Sequence, residues 1–508
     1  MDALGACAAA TPDKPAAVFV GEGAPERRLS FAELDARANR AAQWLLAEGL
    51  APGDTVAMVI DNCAEVFELG FAAQRAGLYY TPINWHLTPT EIAHVLRDSG
   101  AKLCLTTPRM AEAARAAAKA AGRPEPLVTG EGGAYEAALA RFPVPAPLPR
   151  RPIGRDFLYS SGTTGLPKGV RKPLAESAET SPDVPEIAAW RRNYGFDDQA
   201  VYLSPAPLYH AAPLRFCVRV IEVGGTCIVM RRFDAEGALA AIAAHRVTHA
   251  QWVPTMFSRM LALPEDARAR HDLSSLRVAV HAAAPCPVHV KERMIDWWGP
   301  IIFEYYGGSE GFGITSITSA DWLSHKGSVG RATLGVIHIL DDDGRELPPG
   351  EIGTIFFEGG PPFQYYNDPD KTARAYNPHG WATYGDIGHV DSEGYLYLSD
   401  RRVDLILSGG VNIYPKEIED VISAHPEVAD VAVIGVPNED FGEEVKAVVE
   451  THDPDHVDPG LAARLDAFCE AHLPRFKRPR SWEFERLPRL DNGKLMKRRL
   501  KDRWRTPA

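Results

Sequence analysis

The chain has 508 residues, enough for more than one domain, and 45% of them are hydrophobic, enough for a large core. Its 67 acidic residues outnumber 55 basic ones for a net charge of −12, which argues against a nucleic-acid partner, since such a partner calls for a basic excess. Seven scattered cysteines with no C-x-x-C pair suit a reducing compartment and suggest neither a disulfide frame nor a zinc site. The first fifteen residues carry Asp2 and no basic residue ahead of a short apolar run, the reverse of a signal peptide. No apolar run approaches the length that spans a bilayer, so a cytoplasmic location is expected.

Helix and strand signals alternate from the start. In "LSFAELDARANRAAQWLLAEGL" (29–50), Ser30 is an N-cap with Glu33 three residues on, ahead of apolar residues at helical spacing. "DTVAMVI" (54–60) reads as a buried strand. A second capping box, Thr88 with Pro89 and Glu91, opens another helix, and a strand follows around Leu103 to Leu105. The Pro- and Gly-rich stretch from Gly122 to Pro152 reads as a surface connection. This alternation predicts an α/β architecture, with a large N-terminal domain (1–400) of parallel-rich sheets flanked by helices. Beyond Asp400 the units shorten. Pro415 starts a helix with Ile418, Val421 and Ile422 on one face, and "EVADVAVIGV" and "EEVKAVVE" read as strands of a small α+β domain (401–508).

Five stretches carry chemistry. "YSSGTTGLPKGV" (159–170) sets the hydroxyls of Ser160, Ser161, Thr163 and Thr164 among Gly162, Gly165 and Gly169, with Lys168 near its end. Donors, close-approach glycines and a point charge suit a polyanion such as a nucleotide triphosphate. It is not a Walker A loop, because Gly169 rather than Ser or Thr follows the lysine. "YYGGSEG" (305–311) places Glu310 after a Gly-Gly-Ser turn, and "GWATYGDIG" (380–388) places Asp386 in another glycine-flanked turn. "SDRRVDLILSGGVNIYPKEIE" (399–419) carries Arg401 and a glycine pair, and "LPRLDNGKLMKRRL" (487–500) sets Lys494 after a turn.

Each stretch alone is weak. In this order and spacing they resemble the adenylate-forming superfamily of acyl- and aryl-CoA synthetases, luciferases and peptide-synthetase adenylation domains, over nearly the whole chain. The resemblance implies a two-step reaction. A carboxylate attacks the α-phosphate of ATP to give acyl-AMP and pyrophosphate, and a thiol, usually of coenzyme A, then displaces AMP. It implies that Ser160, Ser161, Gly162, Thr163, Thr164, Gly165 and Lys168 grip phosphates, and that Glu310 holds Mg²⁺. Ser309 supplies a hydroxyl where threonine is usual. Ala283, Ala284, Pro285, Tyr306 and Gly307 line the adenine side, Asp386 accepts from the ribose hydroxyls, and Arg401 adds a ribose or phosphate contact. Lys494, carried on the mobile small domain, stabilises the charge that develops in the adenylation transition state. Arg402 and Val403 fall at the hinge, and Ser408, Gly409 and Gly410 at the coenzyme A channel. His210, Tyr305 and Gly308 fall at the acyl pocket.

This chain departs from the pattern at Val403, where the hinge usually has Asp or Lys, and at Ala282 and Tyr305, where relatives often have glycine. The bland readings are a solvated turn for Glu310, a merely buried histidine for His210, core residues for Cys217 and Cys227, and a solvated face for the basic tail. That tail comprises Lys497, Arg498, Arg499, Lys501 and Arg503. No basic residue can be assigned to a second substrate carboxylate, and the resemblance implies a longer or wider acyl group, since Gly308, beside Gly307, Gly311 and Gly313, lacks the bulk common in relatives that take planar aryl acids. The expected substrate is therefore a hydrophobic monocarboxylate, fatty or polycyclic (terpenoid- or steroid-like), and a homodimer is compatible. Two alternatives stay open: an acyl-AMP ligase that loads a carrier protein, and a nucleotide-binding regulator without turnover.

Overall fold

The computed structural model describes residues 2–130, 132–142, 146–160, 166–175, 185–401, 404–408, 411–438, 440–490 and 495–504, with backbone alone at 160, 185–187, 189, 400 and 401. Two compact units emerge. One comprises residues 1–252, 263–279 and 363–372; the other comprises 253–262, 280–362 and 373–508.

The first unit is built from parallel strands and helices. Leu127–Val128, Leu103–Thr106, Thr55–Val59, Tyr79–Pro82 and Arg155–Asp156 form one parallel sheet in that order. In a second set, His249–Trp252, Val201–Ser204, Thr226–Met230 and Pro15–Val20 pair in parallel, with Arg27–Ser30 antiparallel at the end. Thr55–Val59 and Thr226–Met230 are buried at every position, as parallel strands covered on both faces should be. The predicted caps form. The Ser30 hydroxyl accepts the Glu33 N–H at 3.1 Å, opening helix Phe31–Ala47, and Thr88 and Glu91 make the reciprocal box of helix Pro89–Asp98. The stretch 122–152 is more than a surface connection. Helix Ala134–Leu139 lies within it, and Tyr135, 0% exposed, donates to Glu68 at 3.1 Å.

The second unit is largely antiparallel, a feature that helix–strand alternation does not announce. Ile302–Gly307, Ile314–Thr318, Ser328–Leu334, Leu396–Arg401, Asp386–Val390, Gly353–Glu358 and Val336–Leu340 follow one another across a sheet. The C-terminal part forms its own sheet. Val411–Ile413, Ile406–Ser408, Gly442–Thr451 and Val428–Asn438 are antiparallel, with Ser481–Phe484 parallel to Gly442–Thr451. Helix Pro415–Ser423 begins at the expected proline and lays Ile418 and Ile422 on this sheet, beside Leu461 and Leu465 of helix Leu461–His472.

Candidate active site

In the first unit, strands Leu158–Ser160 and Lys168–Val170 pair antiparallel, with Ser160 opposite Lys168. These two residues therefore flank Ser161, Gly162, Thr163, Thr164 and Gly165, which lie outside the described residues. The base of this hairpin is held by contacts the sequence motif did not reveal. The Tyr159 hydroxyl donates to Asp98 at 2.6 Å, and burial together with that carboxylate pushes the phenol far above its usual range. The Tyr366 N–H donates to the Gly169 carbonyl at 2.8 Å, and the Tyr366 ring meets Phe157 edge-on at 5.1 Å. The Arg171 guanidinium lies over Tyr79 at 4.2 Å and Tyr366 at 4.9 Å, and donates to the Gly53 carbonyl at 2.9 Å. Gly169 is bare because of these rings. A Cβ there would stand 2.7 Å from Phe157 and 2.9 Å from Tyr159. His210 is the N-cap residue of helix Ala211–Glu222, its ring 4.3 Å from Tyr209. Cys217 and Cys227 are core residues, both 0% exposed.

In the second unit, the strand Ile302–Gly307 delivers Tyr305, Tyr306 and Gly307 to its end, ahead of the turn with Gly308, Ser309 and Glu310. Across the sheet, Asp386 opens the strand Asp386–Val390 and is opposite Arg401, whose side chain is not described. The Tyr306 hydroxyl donates to the Asp386 carboxylate at 2.5 Å, which unites two motifs far apart in sequence. Asp386 is 7% exposed, so this acceptor-only group is kept dry and fixed.

Ala282, Ala283, Ala284 and Pro285 follow the strand Val278–His281. Ala283 adopts φ +75°, a left-handed conformation that strains any residue with a Cβ. Three ionisable groups pack beside this segment. Lys291 Nζ donates to Glu304 Oε2 at 2.5 Å and lies 4.7 Å from the Trp322 ring, while His281 Nε2 is 3.4 Å from the same carboxylate oxygen. All three are at most 5% exposed. Burial pushes the Glu304 carboxyl up while Lys291 pulls it back, and burial with Lys291 nearby keeps His281 neutral, its pKa far below the usual value. Glu304 precedes Tyr306 by two residues on one strand, so the pair supports the face that carries Tyr306. Sequence reasoning missed Lys291 and Glu304. The one available signal was a lysine and a glutamate at positions otherwise patterned as core.

The volume that a side chain at Gly308 would take is already filled. A Cβ there would stand 2.4 Å from Tyr384 Cε1 and 2.6 Å from Glu310 Oε2.

In the C-terminal sheet, Ser408 is opposite Val411 and Gly442. Gly409, Gly410, Arg402 and Val403, where a hinge is expected, and Lys494 lie outside the described residues. Arg489 and Leu495, on either side of residues 491–494, form an antiparallel bridge. The basic tail is not simply a solvated face. Lys497 pairs with Glu419 at 2.7 Å, Lys501 with Asp404 at 3.0 Å, and Arg503 with Glu485 at 2.8 Å. Between them Leu500, 1% exposed, packs with Leu487, Ile434 and Val448. Among the described residues, no helix is long and apolar enough to cross a membrane.

With this geometry in place, comparison with known proteins is direct. Residues 4–366 match the AMP-binding enzyme family and residues 417–494 match the AMP-binding enzyme C-terminal domain. A feruloyl-CoA synthase of Amycolatopsis sp is 36% identical over 485 residues, covering 94% of each chain. A long-chain-fatty-acid–CoA ligase, FadD13, of Mycobacterium tuberculosis is 33% identical, covering 95% of this chain and 94% of its own. The solved structure of o-succinylbenzoate CoA synthetase (MenE) from Bacillus subtilis, in complex with the acyl-adenylate intermediate OSB-AMP, superposes with a TM-score of 0.81 at 28% identity, over 99% of this chain and 98% of that one. The chain belongs to the family of AMP-binding enzymes, and so to the adenylate-forming superfamily. Within it, the chain is an enzyme of the acyl-CoA synthetase group, the AMP-forming acid–thiol ligases.

Proposed function

We propose that this enzyme joins a hydrophobic monocarboxylic acid to coenzyme A at the expense of ATP. The acid's carboxylate attacks the α-phosphorus, the bond to pyrophosphate breaks, and acyl-AMP forms. The coenzyme A thiolate then attacks the acyl carbon and AMP leaves. The observation that carries the adenylate reading is the bond between Tyr306 and Asp386. It joins a ring suited to stacking against adenine with a carboxylate able to accept from both ribose hydroxyls, where the acyl-AMP of the related structure invites comparison.

In this reading, residues 160–165 and Lys168 hold the β- and γ-phosphates, the Ala283–Pro285 segment borders adenine, and Arg401 reaches the ribose or a phosphate. His210 and Tyr305 border the acyl group, and Ser408 to Gly410 border the pantetheine arm. Lys494, on a small domain that starts at residue 401 and turns at Arg402–Val403, meets the charge that grows on the α-phosphate. The magnesium ion that accompanies ATP takes its ligands from phosphate oxygens, water and one or two carboxylates. The Glu310 carboxylate, folded back over Gly308, is a hard oxygen donor of the right kind, so these residues fit the ion. When bound, it neutralises phosphate charge. The acid class is supported by the relatives, one named for a feruloyl and one for a long-chain fatty acyl group.

The test is pyrophosphate release from MgATP across acetate, ferulate, palmitate, a tricyclic diterpenoid acid and a dicarboxylate, each with and without coenzyme A. Turnover that needs a hydrophobic acid and coenzyme A together is the expected result. Release that coenzyme A cannot accelerate, with acyl-AMP accumulating on the enzyme, moves the second step to a carrier protein. Preference for acetate or the dicarboxylate, or silence with every acid, overturns the substrate class.

A further inference from the structure

Gly308 is not glycine for conformational reasons, since its φ lies outside the left-handed region and its backbone would accept a side chain. It is glycine because the Tyr384 ring, with the Glu310 carboxylate beside it, occupies its side-chain volume. The Tyr384 ring is fixed on several sides. Its hydroxyl donates to the Gly313 carbonyl at 2.9 Å and accepts the Gly313 N–H at 3.3 Å. Its face stacks on Phe312 at 4.0 Å, and it meets Tyr306 edge-on at 5.8 Å and 87°. Gly313 is also bare from necessity, because a Cβ there would stand 2.2 Å from the Phe357 ring. One side chain thus touches both ends of the turn from Gly308 to Gly313, and it lies two residues before Asp386.

We propose that Tyr384 is a positioning residue for nucleotide binding. By filling the volume above Gly308, it holds the turn that carries Ser309 and Glu310 beside the Tyr306–Asp386 pair. This rests on the reading of Tyr306, Glu310 and Asp386 as nucleotide contacts. A turn with three glycines among six residues has many alternative conformations, and ordering it at the moment of binding would weaken affinity. A ring clamped at both ends removes those conformations beforehand. The turn then presents Glu310 in one geometry, and the cost of ordering falls on folding rather than on binding.

Shared volume gives a sharp test, read as the calorimetric dissociation constant for AMP. Gly308→Leu drives a side chain into the ring, and Tyr384→Ala leaves the turn unsupported. Each is expected to weaken AMP binding about tenfold. The double variant returns a side chain to the vacated volume and should bind AMP more tightly than either single one. Tyr384→Phe keeps the ring and loses only the Gly313 bonds, so it should weaken AMP about threefold while leaving the thermal midpoint within a few degrees. If the single variants do not fold, recovery of a folded, AMP-binding double variant supports the exchange, and Tyr384→Phe supplies the binding comparison. Wild-type affinity in both single variants, or a double variant weaker than both, overturns the proposal. Asp386→Ala is the control. Undiminished AMP binding in that variant removes the nucleotide reading itself, whereas loss there with no effect at Gly308 or Tyr384 removes only the positioning role.

Discussion

Two buried polar supports, one at the loop leading to His210 and one on the strand that carries Tyr306, work by opposite means. In the first unit the support is a neutral amide. Asn62, 8% exposed, donates to the carbonyls of Ala206 at 3.2 Å and Met230 at 2.8 Å, and accepts the Leu208 N–H at 2.8 Å. In the second unit it is a buried ion pair, Lys291 with Glu304. An amide meets backbone groups one for one, so its burial is balanced locally. A buried charge is balanced only by its partner, and removing either strands the other. The neutral support should tolerate change, and the charged one should not.

The strongest way to break this contrast is Lys291→Met. It is expected to lower unfolding stability by about 3–5 kcal/mol, against about 1–3 kcal/mol for Asn62→Ala, measured by urea unfolding. Adding Glu304→Leu to Lys291→Met should recover most of the loss, because the stranded carboxylate is then gone. A mild single variant would show that water reaches Glu304.

A second test sharpens the contrast through pH. His249 in the first unit bonds to neutral groups, the Tyr194 carbonyl at 3.0 Å and the Thr248 hydroxyl at 2.7 Å, and burial lowers its pKa to about 4. In the unfolded chain its pKa is about 6.5, so the unfolded state takes up a proton first as the pH falls. The stability due to a neutral His249 is complete above pH ~6.5 and is lost toward pH ~4, at about 1.4 kcal/mol per pH unit. His249→Gln should flatten the stability profile in that window. An unchanged slope would mean that the imidazole is protonated in the folded protein.

The smallest effect belongs to the loop beside the ion pair. Ala283 at φ +75° carries a left-handed strain of about 1–2 kcal/mol, partly offset by the greater unfolded-state freedom of glycine. Ala283→Gly should therefore raise stability by about 0.5 kcal/mol, read as a small upward shift of the unfolding midpoint. A drop would show that the surroundings favour the alanine methyl by more than the strain costs.

What the sequence revealed was mostly local. Ser30, Thr88 and Glu91 cap helices through residues three positions away, and Pro415 opens its helix, so a short window sufficed. The roles of Tyr306 and Asp386 were suggested only by likeness to a family, and their bond, which spans a sheet, is visible only in the fold. Asn62, Tyr384 and the Lys291–Glu304 pair stayed hidden because each depends on partners that folding alone brings near. The filled volume above Gly308 was hidden for the same reason: a bare position in one turn says nothing about what a distant loop inserts there. The basic tail misled differently. Three of its charges, Lys497, Lys501 and Arg503, are matched by Glu419, Asp404 and Glu485, partners that the tail's own stretch does not contain.

The interlock of Gly308 with Tyr384 also constrains how such an enzyme can diverge. Because two distant positions share one volume, neither can change size alone without passing through a crowded or a hollow intermediate. Among homologous chains with this backbone, a bulky residue at the first position should accompany a small one at the second, and the reverse. Swapping either motif between relatives by itself will assemble mismatched halves, whereas transferring both together preserves the fit.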